Sequence, residues 1–299
     1  MNVLSLFDGM SCGMVALERA GVVVGNYYAS EIDEYAIKIS KKNHPLISHL
    51  GDITSWRDWD LEWGNIDLIL AGSPCQGFSL VGKQLAFDDH RSKLYFVFED
   101  ILNEVKKHNQ NVKFILENVV MNKDSKCVIS ERLGVQPMLL NSALVSAQNR
   151  PRLYWTNIQV ENNLPDYGIG LFDILEPNVE EKYKIVGGRL RWLETYGEEK
   201  ESKGYVAFNP LKAKCLTVRG EPSWNTTYVL ADSNGAYLKK GFPGNGLEGI
   251  SVRKLTEVEC ERLQTLPDNY TAGVSESQRY KMLGNGWTVD VISHILRSL

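Results

Sequence analysis

The sequence has 299 residues, 43% of them hydrophobic and 23% charged, with 33 basic against 37 acidic side chains and a net charge of -4. That length and apolar content suffice for one large domain plus a smaller one, and no run approaches the roughly 18 apolar residues of a membrane helix, so no membrane partner is expected. The acidic balance excludes a protein that holds nucleic acid by bulk charge alone, though not one with a local basic cleft.

The chain opens with an apolar run at residues 3–7 that has no basic region before it and meets Asp8 and Gly9 at once. It reads as a first strand, not as a signal peptide. Further strand-like runs lie at 22–29, 66–71 and 113–116, with helical patterns between them at 34–42 and 93–107. In the second of these helices Leu94, Val97, Phe98, Ile101 and Leu102 share one face. The alternation predicts a parallel sheet covered by helices on both sides. Two more apolar runs, 137–145 and 152–160, are joined by a short polar link and read as a terminal antiparallel hairpin. From 165 to 249 Gly, Pro and Asn become frequent and helical periodicity fades, which predicts an irregular, β-leaning second domain. The charge run from Glu198 to Gly204 is expected to be a solvated loop there. After Ser251 the pattern is helical again and ends in a helix over 288–299.

The five cysteines, Cys12, Cys75, Cys127, Cys215 and Cys260, include no C-x-x-C pair and are odd in number. Neither a zinc site nor a disulfide framework is indicated, so no metal and a reducing, cytoplasmic setting are expected.

Four constellations could carry chemistry. Gly72-Ser73-Pro74-Cys75-Gln76-Gly77-Phe78-Ser79 follows a buried strand directly, which puts one thiol at the carboxyl edge of the sheet. Open α/β sheets bind their ligands at that edge. Cys75 could be a nucleophile there, or a small buried hydrophobe. Phe7-Asp8-Gly9-Met10-Ser11-Cys12-Gly13 joins the first strand to its helix without the middle glycine of the dinucleotide fingerprint. A nucleoside without a pyrophosphate suits it better. Glu31 follows about 20 residues on, where an acid grips ribose hydroxyls, and Asp52-Ile53 would meet an adenine ring. Leu116-Glu117-Asn118-Val119 ends the next strand in a carboxylate. If those two strands are neighbours, Glu117 and Cys75 face one pocket, and a carboxylic acid on a ring nitrogen makes an aromatic ring electrophilic toward a thiolate. Gln148-Asn149-Arg150-Pro151-Arg152 fixes two guanidinium groups about a proline. One could bind a substrate carbonyl and the other a phosphate or the carboxylate, unless the segment is an ordinary basic turn. Last, Leu283-Gly284-Asn285-Gly286-Trp287-Thr288-Val289 opens the final helix and suits a backbone lying against a ligand.

Taken in order, FDGMSCG, Glu31, GDI, GSPCQGFS, ENV, QNRPR, the run from Arg253 to Gln264 and GNGWTV resemble the cytosine-C5 methyltransferase family over nearly the whole chain. Only 165–249 is uncovered, where that family keeps its variable target-recognition domain. The resemblance implies a class I S-adenosylmethionine-dependent α/β fold, Rossmann-like, with a mostly parallel seven-stranded sheet and a terminal antiparallel strand. Residues 1–164, completed by 265–299, would form the catalytic domain, and 165–264 the recognition domain and hinge. Cys75 would add to C6 of a cytosine, Glu117 would act at N3, and Arg152 with Arg150 would hold O2 and the acid. S-adenosylmethionine would lie on Phe7, Asp8, Gly9, Met10, Ser11, Gly13, Glu31, Ile32, Asp52 and Ile53, with Pro74, Leu94, Asn285 and Trp287 closing its pocket. Substrate contacts would come from Gln76, Ser79, Lys83, Arg91, Asn118, Gln148 and Arg219. Lys93, Lys212, Lys214 and Lys254 are further candidates for DNA phosphates. The implied partner is double-stranded DNA, bound by a monomer in a bacterial or phage-infected cell, with or without a cognate restriction endonuclease.

Asp8, Ser11, Cys12 and Trp287 depart from the commonest bacterial pattern and resemble the animal de novo branch. An amino-methyltransferase would need an acid-Pro-Pro-aromatic site that the single Pro74 does not supply. A tRNA-directed relative would share most of the catalytic set, but no Cys-Phe-Thr tripeptide occurs here. A regulatory homologue would usually lack Cys75 or Glu117, and a nicotinamide-dependent dehydrogenase would need the missing glycine.

Overall fold

The structure, a computed structural model, describes residues 1–73, 90–160, 163–218 and 226–299. Their contacts divide the chain into two compact units. The first comprises Met1–Asn141, Pro151–Leu164 and Val289–Leu299; the second comprises Ser142–Arg150 and Pro165–Thr288. Residues 142–150 and 265–288, which the sequence suggested for the catalytic domain, thus group with the second unit.

The first unit runs β1 (Val3–Leu6), α1 (Cys12–Ala20), β2 (Tyr27–Ser30), α2 (Glu34–Asn43), β3 (Ser48–His49), β4 (Leu68–Ala71), α3 (His90–His108), β5 (Lys113–Val119), α4 (Lys123–Leu133), β6 (Met138–Asn141) and β7 (Pro151–Thr156). The second unit contributes α5 (Gly187–Ser202), β8 (Val206–Phe208), β9 (Thr226–Ala231), β10 (Ser251–Arg253), α6 (Glu257–Leu263) and α7 (Glu276–Asn285). The chain then returns to the first unit in α8 (Val289–Leu296).

The seven strands of the first unit form one sheet in the order β3-β2-β1-β4-β5-β7-β6. β1, β2, β3, β4 and β5 pair in parallel, and β7 runs antiparallel to both β5 and β6. β1 and β4 are buried at every position, as expected of strands covered on both faces. The core gathers Leu4, Leu6, Ile69, Phe98, Ile101, Leu102, Phe114, Leu116 and Trp155. α8 lies against α1, where Arg19 Nη1 and Asp290 Oδ1 meet at 2.8 Å.

Two local differences from the sequence reading have physical causes. Residues 22–26 are not part of β2, because the end of α1 consumes them. Gly21, at φ 76°, turns the chain, Val22 N–H donates to Leu17 O, and Gly25 N–H donates to Met1 O. The charge run of 198–204 largely belongs to α5 instead of a loop. Leu193 and Gly197, one turn apart, are buried, and Lys203 bonds Glu199 across an i,i+4 step at 2.6 Å. Gly197 has no substitute there, since a Cβ would stand 2.6 Å from the Phe242 ring.

The second unit closes its own core around the sheet β10-β9-β8, with Leu193, Val206, Phe208, Tyr228, Leu230 and Val252 inside. No described helix is long and apolar enough to cross a membrane. Among the described residues no group of three or more His, Cys, Asp or Glu side chains could hold a metal.

Candidate active site

The sheet order makes β4 and β5 neighbours in register, Ala71 opposite Leu116. The chain leaving β4 and the end of β5 therefore meet. Asn118, fully buried, donates from Nδ2 to Ser73 Oγ at 3.3 Å and to Ser73 O at 3.4 Å, while its Oδ1 accepts from Val119 N–H. This fixes the residue two places before Cys75. Pro74, Cys75, Gln76, Ser79 and Lys83 themselves lie outside the described residues, as does Arg219, and so does the side chain of Arg91 in α3.

Glu117 and Arg152 come together because β7 is antiparallel to β5. Arg152 stands opposite Val119, and Glu117 stands opposite Tyr154. Alternation then puts Glu117 and Arg152 on one face as diagonal neighbours. Arg152 Nε lies 3.0 Å from Glu117 Oε1, with each side chain only 13–14% exposed. Arg152 also donates from Nη1 to Pro151 O at 2.9 Å. A carboxylate held this way keeps lone pairs for a further donor.

Arg150 has a different fate. It is buried, and its guanidinium donates to Leu216 O at 3.0 Å, Gly284 O at 3.1 Å and Gly286 O at 2.9 Å. Gln148 is buried as well: its Nε2 donates to Leu263 O and its Oε1 accepts from Leu216 N–H. Both side chains are spent on the backbone of the second unit. The two arginines of QNRPR, expected to act as a pair, thus have different surroundings: Arg150 holds backbone carbonyls and Arg152 holds Glu117. Gln148 likewise braces the fold. The cause is burial, since a buried guanidinium or amide must find acceptors and donors within the protein.

Gln264, which the sequence reading gave no separate role, joins that frame. It donates to Leu283 O and Gly286 O and accepts from Gln148 Nε2 and Thr288 Oγ1. Gly284 belongs to the same place: a Cβ there would stand 2.3 Å from the backbone of Thr217. Gly284 of the GNG motif thus serves close packing within the second unit. Asn285 is exposed and Trp287 half-buried beside them.

Three lysines proposed for phosphates are engaged elsewhere. Lys212 Nζ donates to the carbonyls of Ala143, Ser146 and Ile169, and Lys214 Nζ donates to Gly204 O. Lys254 is paired with Glu276.

The nucleoside end of the site is built on the turn from β1 to α1. Phe7, Gly9 and Ser11 have φ of 58°, 60° and 64°. For Phe7 and Ser11 that left-handed backbone costs on the order of 1–3 kcal/mol each. Glu31, at the end of β2, accepts from Gly9 N–H at 2.8 Å with one oxygen and from Ile32 N–H and Asp33 N–H with the other. A Cβ at Gly9 would meet nothing within 4 Å, so this turn is open. Ile32 is 74% exposed, while Ile53 is buried and Met10, Cys12 and Gly13 pack inward. Asp52 is exposed and spends one oxygen on Thr54 N–H. Leu94 is half-buried on α3.

Asp8 is buried just beneath. Burial pushes its carboxyl up to about 6, against the hydrogen bonds of Ser11, Ser5 and Tyr27, with Glu31 adding to the rise. An open turn held by Glu31, with an exposed apolar Ile32 beside it, suits an uncharged nucleoside with a cationic tail. It repels a pyrophosphate. The residues present therefore fit S-adenosylmethionine.

The sequence profile described as C-5 cytosine-specific DNA methylase matches residues 1–299. The chain belongs to that family. It is 29% identical over 319 residues to the Type II methyltransferase M.NlaX of Neisseria lactamica, covering 100% of this chain and 96% of that protein. It is 30% identical over 310 residues to M.NgoBI of Neisseria gonorrhoeae, covering 97% and 90%. With M.HhaI of Haemophilus parahaemolyticus the identity is 26% over 320 residues, covering 99% and 93%. The Entamoeba histolytica methyltransferase EhMeth shares the fold at a TM-score of 0.79, with 17% identity and coverage of 100% and 97%. A Spodoptera frugiperda DNMT2 mutant shares it at 0.71, with 21% identity and coverage of 99% and 98%. Family membership makes the enzyme class DNA (cytosine-5-)-methyltransferase, with DNA as substrate and a methyl donor of the S-adenosylmethionine type.

Proposed function

We propose that this chain methylates C5 of a cytosine flipped out of a specific duplex site, through a transient bond between the Cys75 sulfur and C6. The observation that carries the reading is the Glu117–Arg152 pair, held where β5 and β7 meet beside the strand end that leads to Cys75.

C6 of a neutral cytosine resists a thiolate. Glu117, by donating a proton or hydrogen bond at N3, draws electron density from the ring and makes C6 electrophilic. Arg152 fixes the rotamer of Glu117 and has further N–H groups for O2. As the Cys75 sulfur bonds to C6, the displaced pair of electrons makes C5 nucleophilic. When bound, the cofactor supplies an electrophilic methyl group on a sulfonium. Loss of the C5 proton to a base then expels the Cys75 thiolate and restores the ring.

A base inside the duplex cannot be reached by Cys75, so extrusion is required, at roughly a few kcal/mol. The segment from Gln76 to Arg91 is assigned to close over the extruded base and exclude water. Residues 165–264 are assigned to site recognition and hinge, with Arg219 reading a guanine edge. The relatives named above are Type II methyltransferases; by likeness to them, modification of host or phage DNA at a short site is the assigned role.

The test uses tritiated S-adenosylmethionine with duplex DNA of mixed sequence and, separately, tRNA. Label as 5-methylcytosine in DNA, absent with Cys75→Ser, is expected. A duplex carrying 5-fluorocytosine should trap protein covalently, because fluorine at C5 cannot leave as a proton. Label in tRNA alone would move the chemistry to RNA. Methylation without a trapped complex would remove the covalent step.

A further inference from the structure

Asp8 is a buried carboxylate that the methyl transfer itself does not use, and burial makes its ionised form costly. Its surroundings show what holds it. Asp8 Oδ2 accepts from Ser11 Oγ at 2.5 Å, and Oδ1 accepts from Tyr27 Oη at 2.7 Å. Ser11 stands at the N-cap of α1, where a serine hydroxyl normally satisfies a backbone N–H of the first turn. Here it caps nothing. Its hydroxyl is turned to Asp8 and, at 2.6 Å, to Ser40 Oγ of α2. Ser40 in turn meets His49 Nε2 of β3 at 3.3 Å.

Ser11 also has a φ of 64°, a backbone conformation that glycine adopts without strain and serine does not. Something has to hold it there: in place of a cap, its hydroxyl meets the Asp8 carboxylate and Ser40, and its N–H donates to Asp8 O at 3.1 Å. The turn being held is the one whose Gly9 N–H is fixed from outside by Glu31.

We propose that Asp8 is a positioning residue for the cofactor turn: its carboxylate clamps Ser11 in the left-handed conformation and, together with Glu31, sets a negative field that favours a cationic sulfonium ligand. The inference rests on the cofactor reading above. Two consequences follow. Binding of the sulfonium ligand weakens when Asp8 takes up a proton, and the need for Asp8 is smaller where residue 11 has no Cβ to strain.

The groups that face Asp8 are Ser5 of β1, Tyr27 of β2, Ser11 at the start of α1 and Glu31 beyond β2. His49 lies one hydroxyl further away and is itself held below the usual histidine range by burial and by Lys41. It is the second titrating group to be separated.

The experiment is calorimetric binding of S-adenosylmethionine to the full chain, with no DNA and no turnover, from pH 5 to pH 8. It compares the unaltered protein with Asp8→Asn, Ser11→Gly, the double variant and His49→Gln, each checked for folding by near-UV circular dichroism. The unaltered protein should lose affinity as pH falls through about 6, and His49→Gln should do the same. Asp8→Asn should bind about tenfold more weakly at pH 8, as expected for the loss of one charge-assisted hydrogen bond, and its affinity should be nearly flat with pH. In the Ser11→Gly background the penalty of Asp8→Asn should shrink to about twofold. A folded Asp8→Asn variant with unchanged affinity, or with the same pH dependence as the unaltered protein, would overturn the clamp. An equal penalty in both backgrounds would overturn its link to Ser11. Failure of the unaltered, folded protein to bind at any pH would instead overturn the cofactor reading on which the clamp depends.

Discussion

Arg152 Nε lies 3.0 Å from Glu117 Oε1, a contact made diagonally across the antiparallel β5–β7 ladder and possible only because β7 reverses direction. Were β7 parallel to β5, the start of one strand and the end of the other would lie at opposite edges of the sheet. The single antiparallel insertion thus brings a cation to the carboxyl edge, where the acid already stands.

That pair should be felt in the chemical step. Glu117→Gln and Arg152→Ala are each expected to lower single-turnover methylation by about 100-fold or more, the range of general acid–base contributions. Affinity for S-adenosylmethionine should stay within about twofold of the unaltered protein. Equal losses in cofactor affinity and rate would show that the pair supports the fold and not the reaction.

Arg150 should behave differently from Arg152 despite standing two residues away. Its guanidinium holds the carbonyls of Leu216, Gly284 and Gly286. Truncation to alanine leaves buried carbonyls without donors, at roughly 1–3 kcal/mol each. Arg150→Ala is therefore expected to lower the urea midpoint clearly.

Gly284→Ala tests the close approach within the second unit. The added Cβ would collide with the Thr217 backbone at 2.3 Å, which cannot swing aside as a side chain would. Overpacking of this kind costs about 1–3 kcal/mol or more. Gly244→Ala, where a Cβ meets nothing within 4 Å, is the control and should leave the melting temperature nearly unchanged.

Glu259 is fully buried and accepts both ends of Arg253, at 2.7 and 2.8 Å, along with the N–H groups of Thr256 and Glu176. Removing one partner of such a pair strands the other charge, at about 3–5 kcal/mol. Glu259→Ala should be strongly destabilised in chemical unfolding. Replacing both Arg253 and Glu259 by apolar residues should recover part of the loss.

Stability should also carry the signature of Asp8. Its carboxyl rises from 3.8 to about 6 on folding, chiefly through burial, so the folded chain binds that proton more tightly. The resulting stability is complete below about pH 4 and is lost as pH rises through 6. With about 1.4 kcal/mol per unit, the change is about 3 kcal/mol. Relative to the unaltered protein, Asp8→Asn should therefore gain by that amount between pH 4 and pH 7. Urea midpoints across the range would measure it, and parallel curves would show that Asp8 does not titrate as described.

The sequence by itself determined the sheet and the edge at which the candidate motifs stand. The apolar runs ending in Ala71 and Leu116 have the near-continuous burial of strands in a sheet covered on both faces, and the two pair in parallel. Motifs that follow them directly have to stand at the carboxyl edge, which is why Ser73, Glu117 and the turn at Gly9 could be placed from spacing. The tertiary structure alone decided which partners those polar side chains take. Arg150 and Arg152 are indistinguishable in sequence, yet one is buried against carbonyls up to 136 positions away and the other pairs with Glu117. Gln148, Lys212 and Lys214 were likewise claimed by distant backbone, and α5 formed where charge density suggested a loop. Local sequence carries periodicity and turn preference, whereas burial of a polar group and the partner that satisfies it are set by segments brought together only when the chain folds.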